Sequence, residues 1–281
     1  MKISLLHIAL FLCGLLPSNS PIAAQVLLPQ YSVWEGFAFS NQQAVESREA
    51  EERFARFLLS IERMTATQQA EQIGALLAKA EQHNATARFL TLAEKYLYDP
   101  NSPYRNDEQY LLFLQYAATH QFADYTTNTR YQKHYTMVLK NRVGHKATDF
   151  PYTTQAGEEG HLYGVQSPYI LLFFHDPHCE ECQYVKQQLE SQHAHFAQKG
   201  VQVVAVYIDD EVEAWKSASY PPAWLSVYAP EIDQQDLYNI KALPTLYLLD
   251  TQKRVLLKDV RLEEVSKFPK FSKDSKDSNS I

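Results

Sequence analysis

Residues 169–182 read YILLFFHDPHCEEC, six apolar residues followed by a turn and a Cys-x-x-Cys pair. The unbroken apolar run from Tyr169 to Phe174 suits a strand covered on both faces. His175, Asp176, Pro177 and His178 supply a turn, and Cys179-Glu180-Glu181-Cys182 then opens an amphipathic helix. Val185, Leu189 and Phe196 recur at helical spacing, and Gly200 stands where a C-terminal cap is expected. A cysteine at a helix N-terminus meets unpaired backbone N–H groups and the positive end of the macrodipole, both of which favour the nucleophilic thiolate. A second cysteine three residues later lies one turn along, within reach for a disulfide. Cys179 and Cys182 therefore read as a dithiol that cycles.

The chain after this helix continues an α/β pattern. Val203, Val204, Val206 and Ile208 mark a second buried strand over residues 201–210, which makes a βαβ unit with a parallel strand pair and a right-handed crossover. Trp215 and Trp224 flank Pro221-Pro222 in what reads as a helix followed by a loop insertion. A short helix is expected next, with Asp233 as its cap and Leu237, Tyr238 and Ile240 facing inward. Leu243-Pro244-Thr245 then opens a strand over residues 246–250, which turns at 251–253 and pairs with 255–260. Upstream, Val143-Gly144 and residues 147–152 read as the entry into this β-rich unit, with a turn at residues 156–160.

Residues 25–140 have a different character. An aromatic lead-in (Tyr31, Trp34, Phe37, Phe39) precedes five expected helices. Phe54, Phe57, Leu58 and Ile61 form the apolar face of the first; Thr65 with Gln68 makes a capping box for the second. Asn84 is expected to cap the third, which Asp99-Pro100-Asn101-Ser102-Pro103 stops. Asn106 with Gln109 caps the fourth, and the fifth is expected from about Asn128 to Lys140. This is an all-helical domain of ordinary size. It shows no catalytic constellation: Asn84-Ala85-Thr86 reads as a cap before a glycosylation acceptor, and His120 and His134 each lack a second ligand at helical spacing.

The ends and the composition set the context. Lys2, an apolar run from Ile3 to Leu16, Pro17 and the small residues up to Ala24 form the three-part pattern of a secretory signal peptide, with cleavage expected after Ala24. Residues 270–281 alternate Lys, Asp and Ser and are expected to be a disordered polar tail. Three cysteines are present, and Cys13 would leave with the signal, so the exported chain would keep Cys179 and Cys182 alone. Two residues between the pair close almost no loop entropy, which points to reactivity rather than stapling. A formal charge of −7 without a basic stripe excludes nucleic-acid binding. No permanent membrane span is expected.

These elements together resemble the thioredoxin superfamily, in particular exported TlpA/ResA-like thiol-disulfide oxidoreductases, over about residues 141–269. The resemblance rests on the strand-Cys179-x-x-Cys182-helix unit, the strand over 201–210, and Tyr238-Asn239-Ile240-Lys241-Ala242-Leu243-Pro244-Thr245 before the final hairpin. It implies a thioredoxin-like fold, Cys179 and Cys182 as catalytic residues, Pro244 as a cis-proline, and Leu243, Pro244 and Thr245 as the substrate-binding segment. The helical region looks like a domain of unknown function that precedes such folds. The chain also departs from the pattern. Phe173 stands where a buried acid is expected, His178 where a Trp usually precedes the first cysteine, and Glu181 where a proline is common, while Glu180 matches ResA-like proteins. His178, Glu180 and Glu181 are therefore the residues expected to tune the site.

The expected reaction is thiol-disulfide exchange with envelope proteins, without a cofactor, in the periplasm, with electrons from an upstream donor. Two carboxylates beside Cys179 oppose its thiolate and so favour the disulfide, the signature of a reductant or isomerase. Two rival readings stand beside it. One is a copper or zinc carrier built on His175, His178, Cys179 and Cys182. The other is an envelope-protein binding module in the helical domain, with a redox-sensing dithiol. A peroxidase is not expected, because the sequence lacks Pro-x-x-x-Thr-x-x-Cys.

Overall fold

The computed structural model describes residues 33–120 and 125–268. The expected signal segment and polar tail lie outside the described residues. The helical domain begins with α1 (Gln42–Val45), held by the Asn41 side chain, and α2 (Arg48–Ile61), whose Ser47 cap accepts the Ala50 N–H at 3.2 Å. Helix α3 (Ala66–Glu81) carries the capping box of Thr65 and Gln68. Asn84 is not the cap of the next helix. It takes a left-handed φ of 56° and ends α3, because the Ala85 N–H returns to the Ala80 carbonyl at 2.9 Å. Asparagine tolerates that conformation and so serves a C-terminal motif as readily as an N-terminal one.

Helix α4 (Thr86–Ala93) therefore starts without a side-chain cap, and it runs into a π turn at Glu94–Tyr98. Asn106 caps α5 (Asp107–Thr119), accepting the Gln109 N–H at 3.0 Å. Helix α6 (Tyr125–Val138) begins ahead of the expected Asn128. The apolar faces of these helices meet in one core in which Trp34 packs edge-on to Phe89 at 5.4 Å and Phe54 lies 5.8 Å from Phe113.

Among the described residues the second domain is a seven-stranded mixed sheet in the order β2-β1-β5-β4-β3-β6-β7. Its strands are β1 (Pro151–Thr154), β2 (Glu159–His161), β3 (Tyr169–Phe174), β4 (Val201–Tyr207), β5 (Leu225–Tyr228), β6 (Thr245–Asp250) and β7 (Val255–Lys258). β3 is central: it pairs in parallel with β4 (Phe174↔Val206) and antiparallel with β6 (Phe174↔Thr245). Its side chains divide between two cores, with Ile170, Leu172 and Phe174 on one face and Leu171 and Phe173 on the other, as a strand with both faces covered requires.

Helix α7 (Glu180–Ser191) crosses the second face, and a break at Gln192 separates it from α8 (His193–Gln198). Helices α9 (Val212–Ser217), α10 (Glu231–Gln234) and α11 (Leu262–Ser266) complete the domain. Two expectations change here. Residues 225–228 form a strand parallel to β4 rather than a loop, too short for its alternation to stand out beside Pro221-Pro222. Asp233 lies inside α10, whose cap position is Pro230.

The two domains meet in a polar seam. Asp107, the first residue of α5, pairs with Lys258 at 2.9 Å and with Lys241 at 3.1 Å, and Lys241 also reaches Asp259 at 2.8 Å. The four side chains are 4–14% exposed. Lys258 donates further to the Val138 and Lys140 carbonyls, and Tyr98 donates to Asn239 at 3.0 Å. Asn141, at the junction, donates to the Leu237 carbonyl and accepts from the Thr148 N–H.

Burial would raise the Asp107 carboxyl, but the charges of Lys258 and Lys241 outweigh it and hold the group below the usual carboxylate range. The stability it contributes is full above the ordinary carboxylate pKa and is lost as pH falls through the depressed folded value. Asp107→Asn leaves Lys258 without an anionic partner and is expected to cost about 3–5 kcal/mol at neutral pH. Urea unfolding of the full chain measures this, and the gap between the two proteins should close in acid.

Candidate active site

The turn after β3 sets the geometry of the cysteines. Asp176 organises it: its side chain accepts the His178 N–H at 2.7 Å and its carbonyl accepts the Cys179 N–H at 3.2 Å. Gln183 ties the turn to α7 by donating to the Pro177 carbonyl at 2.8 Å. Cys179 is thereby placed at the N-cap of α7, with extended backbone, and its Sγ accepts the Cys182 N–H at 3.1 Å. Cys179 and Cys182 are joined by a disulfide across a Cα–Cα distance of 5.1 Å. Cys182 is buried at 1% exposure, while Cys179 is only partly buried. An incoming thiol therefore meets Cys179 first.

The loop before β6 faces the same sulfur. Cys179 Sγ lies 3.8 Å from the Leu243 carbonyl oxygen, and the Leu243–Pro244 peptide is cis. Buried Thr245 starts β6 and donates to the Ala242 carbonyl at 2.6 Å, which closes the loop on itself. The structure thus brings Cys179, Cys182, Leu243, Pro244 and Thr245 together. His178, Glu180 and Glu181 are exposed around the mouth. The acidic side chains sit in the first turn of α7, where the helix dipole attracts them as it attracts the Cys179 sulfur.

The four residues of the metal-carrier reading do not converge. His178 is exposed, whereas His175 is 2% exposed, stacked on Phe173 at 4.7 Å and set against Tyr220 at 5.5 Å. Among the described residues no group of three or more His, Cys, Asp or Glu side chains is arranged to hold a metal ion. His193 and His195 are exposed on α8. No helix among the described residues is long and apolar enough to cross a membrane.

Sequence reasoning missed the residues that hold the loop from behind. Asn239 and Lys241 stand inside the quoted segment 238–245, yet their partners Tyr98, Asp107 and Asp259 lie far away in sequence. Lys241 also sits over the Tyr98 ring at 4.9 Å. The available signal was a lysine three residues before Pro244 in an otherwise apolar run.

Two family models match. Residues 25–141 match a domain of unknown function, DUF5106, and residues 143–258 match the AhpC/TSA family. The C-terminal domain belongs to the AhpC/TSA family. Its fold is thioredoxin-like, as the whole-chain comparison also shows. A thioredoxin-like protein from Bacteroides caccae is similar over 93% of this chain and 98% of its own, at 28% identity and a TM-score of 0.80. The C-terminal domain of an uncharacterized protein from Bacteroides fragilis is 36% identical over 46% of this chain and 96% of its own, with a TM-score of 0.44. A domain of a possible thiol-disulfide isomerase from Cytophaga hutchinsonii is 28% identical over 49% of this chain and 97% of its own, with a TM-score of 0.40. No curated protein matches the chain.

A buried imidazole, His175, and a half-buried one, His134, give the AhpC/TSA domain and its helical partner a defined acid response. Burial, reinforced by the Lys186 charge, pushes His175 down to about 4 from an ordinary 6.5. Burial, with the charges of Arg130 and Lys133, does the same to His134, which bonds to the Tyr110 hydroxyl at 2.9 Å. Both rings are neutral when folded at pH values where the unfolded chain protonates them. Their contribution is full above pH 6.5 and is lost as pH falls toward 4. Denaturant midpoints should fall over that window. His175→Phe, which keeps a ring on Phe173, should flatten the fall, and an unaltered slope would contradict the assignment.

Proposed function

We propose that this protein is an exported thiol-disulfide oxidoreductase that reduces or isomerises disulfides of envelope proteins in the periplasm. One observation carries the reading: the accessible half of a helix-N-terminal disulfide, Cys179, faces the Leu243 carbonyl at 3.8 Å while the other half, Cys182, is buried beneath it. That asymmetry suits a nucleophile and a resolving partner, and the thioredoxin-like fold supports it.

In the reduced protein, the Cys179 thiolate attacks one sulfur of a partner disulfide, and the partner's other sulfur leaves as a thiolate. Cys182, deprotonated, then attacks Cys179 Sγ and expels the remaining partner sulfur. Two electrons pass from the dithiol to the partner, and an upstream reductant must restore the dithiol. The exposed Glu180 and Glu181 oppose a thiolate at Cys179, which disfavours the reduced site and makes it the better donor. The signal-like N-terminus supports export.

Equilibration of the Cys179/Cys182 couple in defined glutathione or dithiothreitol buffers tests the direction. A potential below about −230 mV is expected. A value near that of strong periplasmic oxidants would reverse the assignment to disulfide formation. Cys179→Ser should abolish exchange, and Cys182→Ser should accumulate the mixed disulfide on gel analysis. Exchange that survives Cys179→Ser would refute the role of the first cysteine.

A further inference from the structure

A groove of about 570 Å³ runs away from the disulfide, and its walls come from both domains. On one side stand Glu181, Tyr184 and Val185 of α7, with the Tyr184 side chain left exposed at the rim. The floor is Leu243, Pro244 and Leu246, continued by Val260. The opposite wall contains Pro100, Asn101 and Arg105, which belong to the turn between α4 and α5 in the helical domain.

This wall is fixed in place. Arg105 donates to the Asp259 carbonyl at 3.3 Å, and Asp259, held at a left-handed φ of 50°, pairs with Lys241 at 2.8 Å. Lys241 pairs in turn with Asp107, two residues beyond Arg105. The turn itself is closed by the Asp99 side chain, which accepts the Asn101 N–H at 2.8 Å. The same buried charges therefore set the helical turn and the Leu243–Pro244 loop at a constant separation, and the gap between them is the groove.

The exposed charges lining it are mostly acidic. Glu181 and Glu263 are exposed, and the exposed cation among the lining residues, Arg261, is already paired with Glu264 at 3.8 Å. Arg105 is turned inward to Asp259. An apolar floor with an acidic rim suits a segment that carries an apolar and a basic residue next to its cysteine.

We propose that the Pro100–Arg105 turn of the helical domain forms the outer wall of a substrate groove, which takes an extended polypeptide segment whose cysteine is flanked by apolar and basic residues. This rests on the exchange reaction proposed above. Leu243 forms no backbone hydrogen bond among the described residues, so its amide is open to the backbone of such a segment. The helical domain is then part of substrate selection, and the AhpC/TSA domain alone lacks the wall made by Pro100, Asn101 and Arg105.

The test uses the full chain with Cys182→Ser, so that Cys179 makes one bond and stops. The probes are two peptides whose single cysteine is blocked with thionitrobenzoate, one flanked by Leu and Lys and the other by Gly and Glu, together with the small disulfide 2,2′-dithiodipyridine. Attack by Cys179 on the peptide sulfur forms the mixed disulfide and releases thionitrobenzoate, which is read by absorbance. The Leu/Lys peptide is expected to react about tenfold faster than the Gly/Glu peptide, the equivalent of ~1.4 kcal/mol.

Asn101→Trp, which fills the groove from the helical side, should lower the ratio of the peptide rate to the dithiodipyridine rate about tenfold. Glu263→Lys should reduce or invert the preference between the peptides. An unchanged ratio in Asn101→Trp, or equal rates for the two peptides in the parent, would overturn the groove. Failure of dithiodipyridine itself to react with Cys179 would instead refute the exchange chemistry, so the two failures are separable.

Discussion

The carboxylate of Asp107, shared between Lys241 and Lys258 in the seam between the domains, is the constraint on which the rest of the arrangement depends. It is the first residue of α5, so its position follows from the Asn106 cap, and the positive end of that helix favours its charge. Buried ion pairs contribute little net stability, because desolvation offsets most of the attraction. What they supply is geometry, since a misplaced partner leaves an uncompensated buried charge. Here the geometry concerns the loop that faces the disulfide. Lys241 stands three residues before Pro244, and its ammonium is held by one carboxylate from each domain. The helical domain therefore braces the loop of the dithiol site.

That bracing matters because the remaining parts of the site are rigid already. β3 is an interior strand of the sheet, buried on both faces, and delivers the turn that places Cys179 at the start of α7. β6 pairs directly with β3 and begins at Thr245, so the cysteine turn and the Leu243–Pro244 loop emerge from adjacent strands. Their relative position is a matter of sheet register. Only the side of the loop turned away from α7 lacks support from the sheet, and there Asn239 and Lys241 meet Tyr98 and Asp107 of the helical domain.

The residues legible in the sequence were those whose signal is local. The apolar run of β3, the cysteine pair, the capping box of Thr65 and Gln68 and the Asn106 cap each depend on neighbours within a few positions, and each is found where the pattern puts it. Asn84 was misassigned because the same side chain suits both ends of a helix, and only the return of the Ala85 N–H to Ala80 distinguishes them. β5 escaped because four residues carry too little alternation. The ion cluster was not legible at all. Lys241 and Asp107 are more than a hundred positions apart, and neither departs from an ordinary surface residue until the domains are packed.

Phe173, where the resemblance to thioredoxins implies a buried acid, bears on proton movement at the site. Positions 173 and 175 lie two apart near the end of β3, and the two rings stack. Among the described residues, the fully buried polar residues of this domain are Asn141, His175, Asn239, Thr245 and Lys253, and the nearly buried carboxylate of Asp259 is taken up by Lys241 in the seam. His175 is not an equivalent base, because burial and the Lys186 charge hold it near 4, far below an ordinary thiol. Protonating it would place a cation in an apolar core beside that lysine. In the proposed exchange, the proton lost by Cys182 therefore finds neither a fully buried carboxylate nor a basic imidazole among the described residues of this domain, and the nearby exposed titratable groups are His178, Glu180 and Glu181. The resolving step of that exchange then follows the ionisation of the buried Cys182 thiol itself.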